Sequence, residues 1–404
     1  MKTIFLLLIS LVFFSSCMKD NDDKDAIVLP DDSPQTITLD CVSTNCQELI
    51  VSGDPYQNNP DFFGYADPSI RKDPNSGTLW LAYSFPHYKM IGSTPVPSVA
   101  IHLAKSSDQG NNWTFVKNLF EPIPMNNPAN ISQEGFLDHE TVNLIPISYS
   151  GEEFWCAVRL NYFVPKIGGF AARPNNSFHI SIIKASSPND LTNGNVGTIG
   201  GNFTHSTWNV NATLIPPDLT STYFFWNEPS LYFDNTMNKL YLVMAAFAYN
   251  GSLPDLSKSN VYVFSTVPSG NPDSWIWTYN GKLVGESEAK ELGGQKVTQT
   301  DISRGIDGKL LLICTPDDYN EILKDYNHKG CKVVEIKSLE NPELERGNNG
   351  KLKVRASITA SDSNELGSGA SAYAPESDTG ILFTKRVKTN ISLTANIWKT
   401  KVKP

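Results

Sequence analysis

A unit of β-strand-like segments recurs five times along the sequence, and this recurrence restricts the folds open to the chain. Each unit has a first segment, a turn, an apolar strand and a third strand, and most units add a more polar fourth strand. Glycine, proline, asparagine and aspartate separate the segments, as expected for turns. The first segments are ADPSIRKD (66–73), HETVNLIPIS (139–148), NEPSLYFD (227–234), TDISRGI (300–306) and ASAYAPE (370–376).

Four-stranded units that repeat around an axis are the blades of a β-propeller. We therefore predict an all-β fold in which residues 35–404 form a single five-bladed β-propeller domain. The fifth unit is short of an outer strand, which QTITLD (35–40) could supply to close the ring. One alternative is a six-bladed ring with its sixth blade within 121–138 or 164–207. A pair of β-sandwiches is the other.

The first 34 residues have the composition of a targeting signal followed by a flexible tether. Residues 1–16 carry one lysine and then an apolar run, which predicts a secretory signal peptide. Ser15-Ser16-Cys17 resembles the lipobox of bacterial lipoproteins, which implies cleavage before Cys17 and acylation of that residue. An ordinary signal peptide with an incidental cysteine is the alternative.

Residues 17–34 are rich in aspartate and lysine, and they are predicted to form a flexible tether. A lysine followed by acids directly after the lipidated cysteine resembles the export signal of Bacteroidetes surface lipoproteins. The resemblance implies an outer-membrane lipoprotein exposed at the cell surface.

The charge balance bears on the partners of the chain. The sequence has 33 Lys and Arg against 42 Asp and Glu, a net charge of −9. Neutralising phosphates needs a surplus of cations, so we expect no nucleic-acid partner. We expect a monomer that contacts the membrane through its lipid anchor only.

An exported protein can keep disulfides. Cys41 and Cys46 could close a small loop, and Cys314 and Cys331 lie on neighbouring strand-like runs where a bridge could form. Cys156 is then left over, and we expect it to be a buried thiol.

Carboxylates occupy the first segment of four of the five units, at Asp67, Glu140, Glu228 and Asp301, with Ser371 in the fifth. The first strand of a propeller blade lines the central channel, so these groups are predicted to converge on one pocket. Converging carboxylates suit glycosidic cleavage, because one must hold a proton and another must stay ionised. Two alternatives are plain turns at Asp67-Pro68 and Glu228-Pro229, and a structural Ca²⁺ site. No other cofactor or metal is predicted.

The pattern S-x-D-x-G-x-x-W at Ser106, Asp108, Gly110 and Trp113 matches the Asp-box of sialidases and related propellers. The resemblance implies a hairpin between the third and fourth strands of a blade. In it the aspartate caps the turn, the glycine takes a positive φ and the tryptophan packs between blades. This motif is structural and not catalytic.

Asn227-Glu228-Pro229 also resembles the start of a sialidase blade, and that resemblance implies a tyrosine nucleophile, for which Tyr373 is the candidate. Sialidases need an arginine triad that begins in an R-I-P motif. This chain has Ala66-Asp67-Pro68 there, so the first arginine is missing. The candidates for replacing the triad are Arg71, Arg159, Arg304 and Arg386.

The order Asp67, Glu140, Glu228 instead resembles the five-bladed glycosidases of the arabinanase and fructosidase type. The resemblance implies that Asp67 is the base, Glu140 tunes the pKa values and Glu228 is the acid. This chain has Glu140 at the position where that family has an aspartate.

Candidate substrate-binding residues are Trp226, for stacking on a sugar, His139, for bonding a hydroxyl or orienting Glu140, Arg304, for clamping an anion or a hydroxyl, and Arg71. Core packing is the alternative for the aromatic side chains. We expect an exo-acting, surface-anchored glycoside hydrolase, sialidase-like or five-bladed. The alternative is a non-catalytic lipoprotein that binds glycans.

Overall fold

The computed structural model describes residues 33–55, 63–127, 130–174, 177–203, 214–220, 222–251, 253–322, 325–386 and 394–404. The predicted signal peptide, Cys17 and nearly all of the tether lie outside these residues. The described strands form five blades in sequence order around a central axis, so the predicted five-bladed β-propeller is confirmed. In every blade, the strand nearest the axis overlaps the predicted first segment of the corresponding unit.

The strands range from 2 to 20 residues in length, and most run antiparallel to their neighbours. Three lie near the N-terminus: β1 (Ile37–Asp40), β2 (Gln47–Glu48) and β3 (Val51–Ser52). Blade 1 contains β4 (Ala66–Lys72), β5 (Leu79–Ile91), β6 (Thr94–Ser106) and β7 (Trp113–Phe120). Blade 2 contains β8 (Ile123–Asn127), β9 (Asn130–Tyr149), β10 (Glu152–Pro165), β11 (Ser177–Ala185) and β12 (Asn195–Phe203). Blade 3 contains β13 (Tyr223–Asp234), β14 (Lys239–Asn250), β15 (Leu253–Pro254), β16 (Val261–Thr266) and β17 (Thr278–Val284).

Helix α1 (Glu286–Glu291) leads into the last two blades. Blade 4 contains β18 (Lys296–Arg304), β19 (Leu310–Asn320), β20 (Asp325–Lys329), β21 (Cys331–Ser338), β22 (Glu343–Leu344) and β23 (Val354–Thr359). Blade 5 contains β24 (Gly367–Ala372), β25 (Leu382–Arg386) and β26 (Ala395–Lys399). Short 3₁₀ turns occupy Gly169–Ala172, Pro188–Asn193, Pro217–Leu219 and Pro272–Ser274. A search of the described residues finds no helix with the length and apolar character needed to span a membrane.

Neighbouring blades pack face to face, so most strands are buried on both faces. Tyr241 and Val243 of blade 3, for example, share one apolar cluster with Leu312 of blade 4. Every residue of β16 is buried. Two buried faces favour continuous apolar runs over polar–apolar alternation, which explains why the inner strands read as such runs in the sequence.

The N-terminal strands pair with three successive blades. Strand β1 lies parallel to β23 in blade 4, with Ile37 opposite Ala356. The prediction that 35–40 completes blade 5 is therefore wrong. The chain turns back at Cys41–Cys46, and β2 then supplies the outer strand of blade 5 by pairing with β26. Strand β3 continues to blade 1, where it lies parallel to β7.

The structure joins Cys41 to Cys46 in a disulfide, whereas Cys314 and Cys331 are free and buried. The predicted Cys314–Cys331 bridge is wrong because of the register between β19 and β21. Cys314 lies opposite Lys332, so Cys331 faces the other side of the sheet. The two thiols accordingly belong to different apolar clusters. Cys156 is a buried free thiol.

Each blade carries a β-bulge at the same point of its first strand. The strand registers shift there on β4, β9, β13, β18 and β24. One residue of each bulge has a left-handed backbone conformation: Asp67 (φ 50°), Thr141 (49°), Glu228 (48°), Gln299 (44°) and Ala370 (59°). Bulges re-aim side chains next to functional sites, so this ring of five residues marks the axis of the propeller.

Candidate active site

The positions of the bulges show which residues of the five blades are equivalent, and they change the equivalence inferred from the sequence. Asp67 and Glu228 are the bulge residues of blades 1 and 3, as the sequence alignment placed them. The equivalent residues of the other blades are Thr141, Gln299 and Ala370, so Glu140 lies one position before the bulge and Asp301 two positions after it. The residue that joins Asp67 and Glu228 in the ring is therefore Gln299 and not Asp301.

A cavity of about 610 Å³ lies at this ring, and a smaller cavity of about 100 Å³ adjoins it. Glu140, Asn227, Glu228, His328 and Arg386 line both cavities, and Asp67 lines the smaller one. The larger cavity also exposes these residues: Leu160, Arg173, Phe178, Phe225, Phe247, Tyr249, Leu253, Thr298, Asp317, Tyr319, Asp325 and Tyr326. Three of the four predicted acids therefore share one pocket.

Glu228 is held at the pocket floor by the backbone of blade 4. The backbone N–H of Gln299 donates a hydrogen bond of 2.6 Å to Glu228 Oε2. The pKa of Glu228 is raised to about 8, because burial and the charges of Asp317 and Asp67 outweigh the opposing effects of Lys296 and the Gln299 hydrogen bond. A carboxyl group with this pKa holds its proton at neutral pH.

Asp67 and Glu140 are the other two predicted acids that line the pocket. The side-chain amide of Gln299 donates to Asp67 Oδ1, so Gln299 links Asp67 to Glu228. Burial raises the pKa of Asp67, while hydrogen bonds from Ser84 and Gln299 lower it. Burial, followed by the charge of Asp67, raises the pKa of Glu140 to about 7. Burial is thus the largest cause that raises the pKa of each of the three carboxyl groups, and the three groups compete for protons within one pocket.

A chain of charged side chains runs along one wall of the pocket. Lys296 Nζ lies 3.7 Å from Asp317 Oδ2, and His328 Nδ1 lies 2.5 Å from Asp317 Oδ1. Arg386 donates to His328 Nε2 over 2.8 Å. A guanidinium can only donate, so Nε2 must accept and the imidazole proton must lie on Nδ1, facing Asp317. Asp317 and His328 thus fix the position of Arg386.

Arg173 also lines the pocket and packs against aromatic rings. Its guanidinium carbon is 4.9 Å from the ring centre of Tyr162, 5.3 Å from that of Phe170 and 5.6 Å from that of Phe178. These distances suit cation–π contact. The positive charges of Arg173 and Arg386 both lower the pKa of Glu140, which places both arginines near that acid.

Other polar atoms at the pocket have unused hydrogen-bonding capacity. Thr298 Oγ1, Asp317 Oδ2 and the Tyr326 hydroxyl are buried and have no hydrogen-bond partner among the described residues. Phe178 and Phe225 stack beside them, with ring centres 4.5 Å apart. Apolar walls with a few unsatisfied polar groups are typical of small-molecule sites.

Asp301 lies deeper along the axis, where it is buried in a network of structural contacts. Arg71 forms a bidentate ion pair with its carboxylate, and Asn143 Nδ2 donates to it over 2.8 Å. The backbone N–H of Tyr373 donates to it over 3.2 Å. The charges of Asp301 and Arg71 therefore neutralise each other, and the contacts of Asp301 join four blades. Neither side chain reaches the large pocket.

The structure places Tyr373 and Trp226 in the core. The Tyr373 side chain has no exposed surface and packs in the apolar cluster that contains Cys41 and Phe383. Burial raises its pKa to about 12. Trp226 is buried against Tyr262 and Phe264, and the side chain that faces the pocket is that of its neighbour Phe225.

His139 and Arg304 also lie away from the pocket. His139 is buried and bonds through Nδ1 to Asn161 Oδ1 over 2.7 Å, so it does not orient Glu140. Arg304 is exposed, and it donates to Gly308 O and to the Tyr232 hydroxyl. The predicted clamp positions are thus taken by Arg173 and Arg386, of which the sequence analysis named only Arg386.

The predicted Asp-box forms a hairpin between β6 and β7. Ser106 Oγ donates to Asp108 Oδ1 over 2.7 Å, and Asp108 Oδ1 accepts the Asn112 backbone N–H over 2.9 Å. Gly110 has a φ of 90°. Trp113 is buried in a cluster shared by blades 1 and 5. The hairpin therefore helps to join the first blade to the last.

The described residues contain no group of three or more His, Cys, Asp or Glu side chains arranged to hold a metal ion. The carboxyl groups at the axis are hydrogen-bonded to protein donors, Asp67 and Glu228 to Gln299 and Asp301 to Arg71. The structural Ca²⁺ considered above has no site among these residues.

No family model matches this sequence, and no curated protein matches it. Partial similarity to solved structures exists. An α-L-arabinofuranosidase from Lactobacillus brevis is 13% identical, with 86% of this chain and 93% of that chain covered and a TM-score of 0.48. An α-L-arabinanase from Penicillium chrysogenum is 11% identical, with 89% and 99% covered and a TM-score of 0.43. A family 117 glycoside hydrolase from Zobellia galactanivorans is 12% identical, with 87% and 81% covered and a TM-score of 0.42.

Proposed function

We propose that this chain is a glycoside hydrolase in which Glu228 is the general acid, Asp67 is the ionised partner and Glu140 tunes their pKa values. The observation that carries the proposal is the convergence of three carboxyl groups, from three blades, on one pocket. Glycosidic cleavage needs one carboxyl group that holds a proton at neutral pH and a second that is ionised.

The electrostatics support this division of roles. Glu228 has a pKa of about 8 and so retains the proton that a leaving oxygen must receive. Asp67 accepts hydrogen bonds from Ser84 and Gln299, which stabilise its ionised form. Glu140 lies close enough to Asp67 for the two charges to interact. The charge of Asp67 in turn raises the pKa of both Glu140 and Glu228.

The pocket also suits a carbohydrate. Its volume of about 610 Å³ lies in the usual range for small-molecule sites. Thr298 and Tyr326 offer unpartnered polar atoms for hydroxyl groups, and Phe178 and Phe225 offer apolar surface for a sugar face. The pocket narrows towards Asp67, which favours an exo-acting enzyme that takes the terminal sugar of a chain.

The test is hydrolysis of aryl glycosides and natural oligosaccharides by the purified protein. We expect release of a terminal sugar, with turnover falling above about pH 8 as Glu228 loses its proton. Glu228→Gln should lower turnover by about 10²- to 10⁴-fold, and most strongly for substrates with poor leaving groups, which need the acid most. Glu343→Gln, an exposed acid-to-amide change outside the pocket, is the matched control.

Saturable binding of oligosaccharides without release of sugar by a folded sample would contradict the hydrolase and favour the non-catalytic glycan-binding protein. A Glu228→Gln variant with unchanged turnover would contradict the assignment of the acid.

We further propose that the enzyme is anchored at the outer surface of the outer membrane through a lipid on Cys17. The support is the apolar N-terminal run, the Ser15-Ser16-Cys17 pattern and the acidic segment that follows. Cys17→Ser should abolish incorporation of radiolabelled fatty acid and release the protein from the membrane fraction. Unchanged labelling and fractionation would contradict the anchor.

A further inference from the structure

Two arginines face the pocket without an acidic partner. Within the described part of the chain, neither Arg173 nor Arg386 forms an ion pair with a carboxylate. Arg386 donates one hydrogen bond to Leu366 O, of 3.3 Å, and one to His328 Nε2. Among the described residues, the Arg173 side chain contacts aromatic rings and forms no hydrogen bond. A guanidinium has five N–H donors, so most donors of both groups remain available to a ligand.

Both guanidinium groups are held in place before any ligand arrives. The chain from Asp317 through His328 fixes Arg386, and three aromatic rings pack against Arg173. Both side chains line the same cavity as Glu140, on which both exert a positive charge. Preorganised guanidinium groups bind carboxylate and sulfate oxygens through paired, charge-assisted hydrogen bonds.

The acids of the pocket form no ion pair with the two arginines among the described residues, although the charge of Arg386 lowers the pKa of Asp67. Asp317 is already engaged by Lys296 and His328. Glu140 and Glu228 have pKa values of about 7 and about 8, so protonation reduces their negative charge near neutral pH. The aromatic walls lower the local dielectric and strengthen the field of the two arginines.

We infer that the sugar bound in this pocket carries a negatively charged group, a carboxylate or a sulfate ester, which Arg173 and Arg386 hold between them. The inference names the substrate class of the proposed hydrolase and rests on that proposal for the cleavage step. The recognition itself depends only on the two arginines and can be measured without turnover.

The experiment compares oligosaccharides that differ only in charge. Isothermal titration calorimetry on the Glu228→Gln protein would use polygalacturonate oligosaccharides against their methyl esters, and sulfated galactan oligosaccharides against their desulfated forms. We expect at least one charged ligand to bind about tenfold or more tightly than its neutral counterpart, and the preference to weaken with salt. A preference within the polygalacturonate pair would identify the group as a carboxylate, and a preference within the galactan pair would identify it as a sulfate ester.

Arg173→Gln and Arg386→Gln should each remove most of this preference, while Arg386→Lys should keep part of it, since the charge remains without the planar fork. Arg304→Gln, at an exposed arginine outside the pocket, should bind as the parent does. Circular dichroism would show that each variant is folded.

Equal binding of every charged and neutral pair would overturn the inference, as would an unchanged preference in both arginine variants. The two proposals fail separately. If charged oligosaccharides bind preferentially but the Glu228-containing protein cleaves none of the panel, hydrolysis fails and the anionic specificity stands. If neutral glycosides are cleaved equally well by the parent and by Arg173→Gln, hydrolysis stands and the anionic specificity fails.

Discussion

Glu228 combines an unusual backbone conformation with an unusual proton affinity. Its φ of 48° belongs to the left-handed region, which costs a residue with a side chain about 1–2 kcal/mol. Its buried carboxyl group is ionised only at alkaline pH. Both features weaken the folded state, and they persist because the surrounding blades determine the position of this residue. Such strain is common at functional sites.

The proton affinity of Glu228 predicts a pH-dependent stability. The pKa rises from the ordinary value of 4.5 to about 8 on folding. Between these values the folded chain keeps a proton that the unfolded chain has lost, so the free energy of unfolding falls as the pH rises through this window. The slope for one proton is at most about 1.4 kcal/mol per pH unit.

Glu228→Gln should therefore flatten the pH dependence and make the variant more stable than the parent at pH 8, with a smaller difference at pH 5. Urea denaturation at both pH values measures this, with Glu343→Gln as the control that keeps the parental slope. Parallel slopes for Glu228→Gln and the parent would show that the carboxyl group is not buried as described.

Sequence reasoning found Asp67 and Glu228 because each stands before a proline in a first segment, which made the two blades easy to align. It missed Gln299 and Ala370 because nothing in their residue type signals a left-handed backbone, which glycine and asparagine usually mark. It could not find Arg173, His328 and Asp317, because these residues meet at the pocket only through contacts between blades.

At the level of elements, the recurring feature is the bulge on the first strand of each blade. A bulge places two residues of one strand opposite a single residue of the partner strand. It thereby turns a side chain out of the regular alternation between the two faces of the sheet. In blades 1 and 3 that side chain is an acid of the site, and in blade 4 it is the Gln299 that bonds to both acids. The same backbone device thus positions a different chemical group in each blade.

The bulge at Ala370 offers a test against Ala372, a buried alanine of the same strand that also packs in the apolar cluster shared by blades 1 and 5. Ala370 and Ala372 are both buried on β24, but only Ala370 has a positive φ, of 59°. Ala370→Gly relieves a left-handed alanine, whereas Ala372→Gly only weakens a strand. We expect Ala370→Gly to cost at least about 1 kcal/mol less than Ala372→Gly, as measured by urea denaturation. Equal losses would contradict the left-handed conformation.

For the whole molecule, the decisive step is the closure of the ring. Strands β1, β2 and β3 lie within Ile37–Ser52 and pair with blades 4, 5 and 1 in turn. The strand pattern predicted the five blades, because each blade is formed mainly from consecutive segments. It could not predict the partner of β1, because strands β1 and β23 are separated by nearly the whole chain and edge strands offer similar pairing groups to any neighbour.

The junction between the last blade and the first gives a matched pair of neighbouring residues. Leu49 is fully buried in the cluster that blades 1 and 5 share, and its backbone N–H donates to Ile397 O over 2.8 Å. Ile50, the next residue, is 69% exposed. Leu49→Ala should leave a cavity at the junction and lower the free energy of unfolding by about 2–5 kcal/mol, whereas Ile50→Ala should change it by less than about 0.5 kcal/mol.

Guanidinium denaturation of the two variants measures the difference. If the N-terminal segment holds the ring closed, the loss in Leu49→Ala will also appear as faster amide hydrogen exchange in both β7 and β26, because these strands bound the junction from opposite sides. Faster exchange confined to the N-terminal segment would mean that the ring stays closed without it.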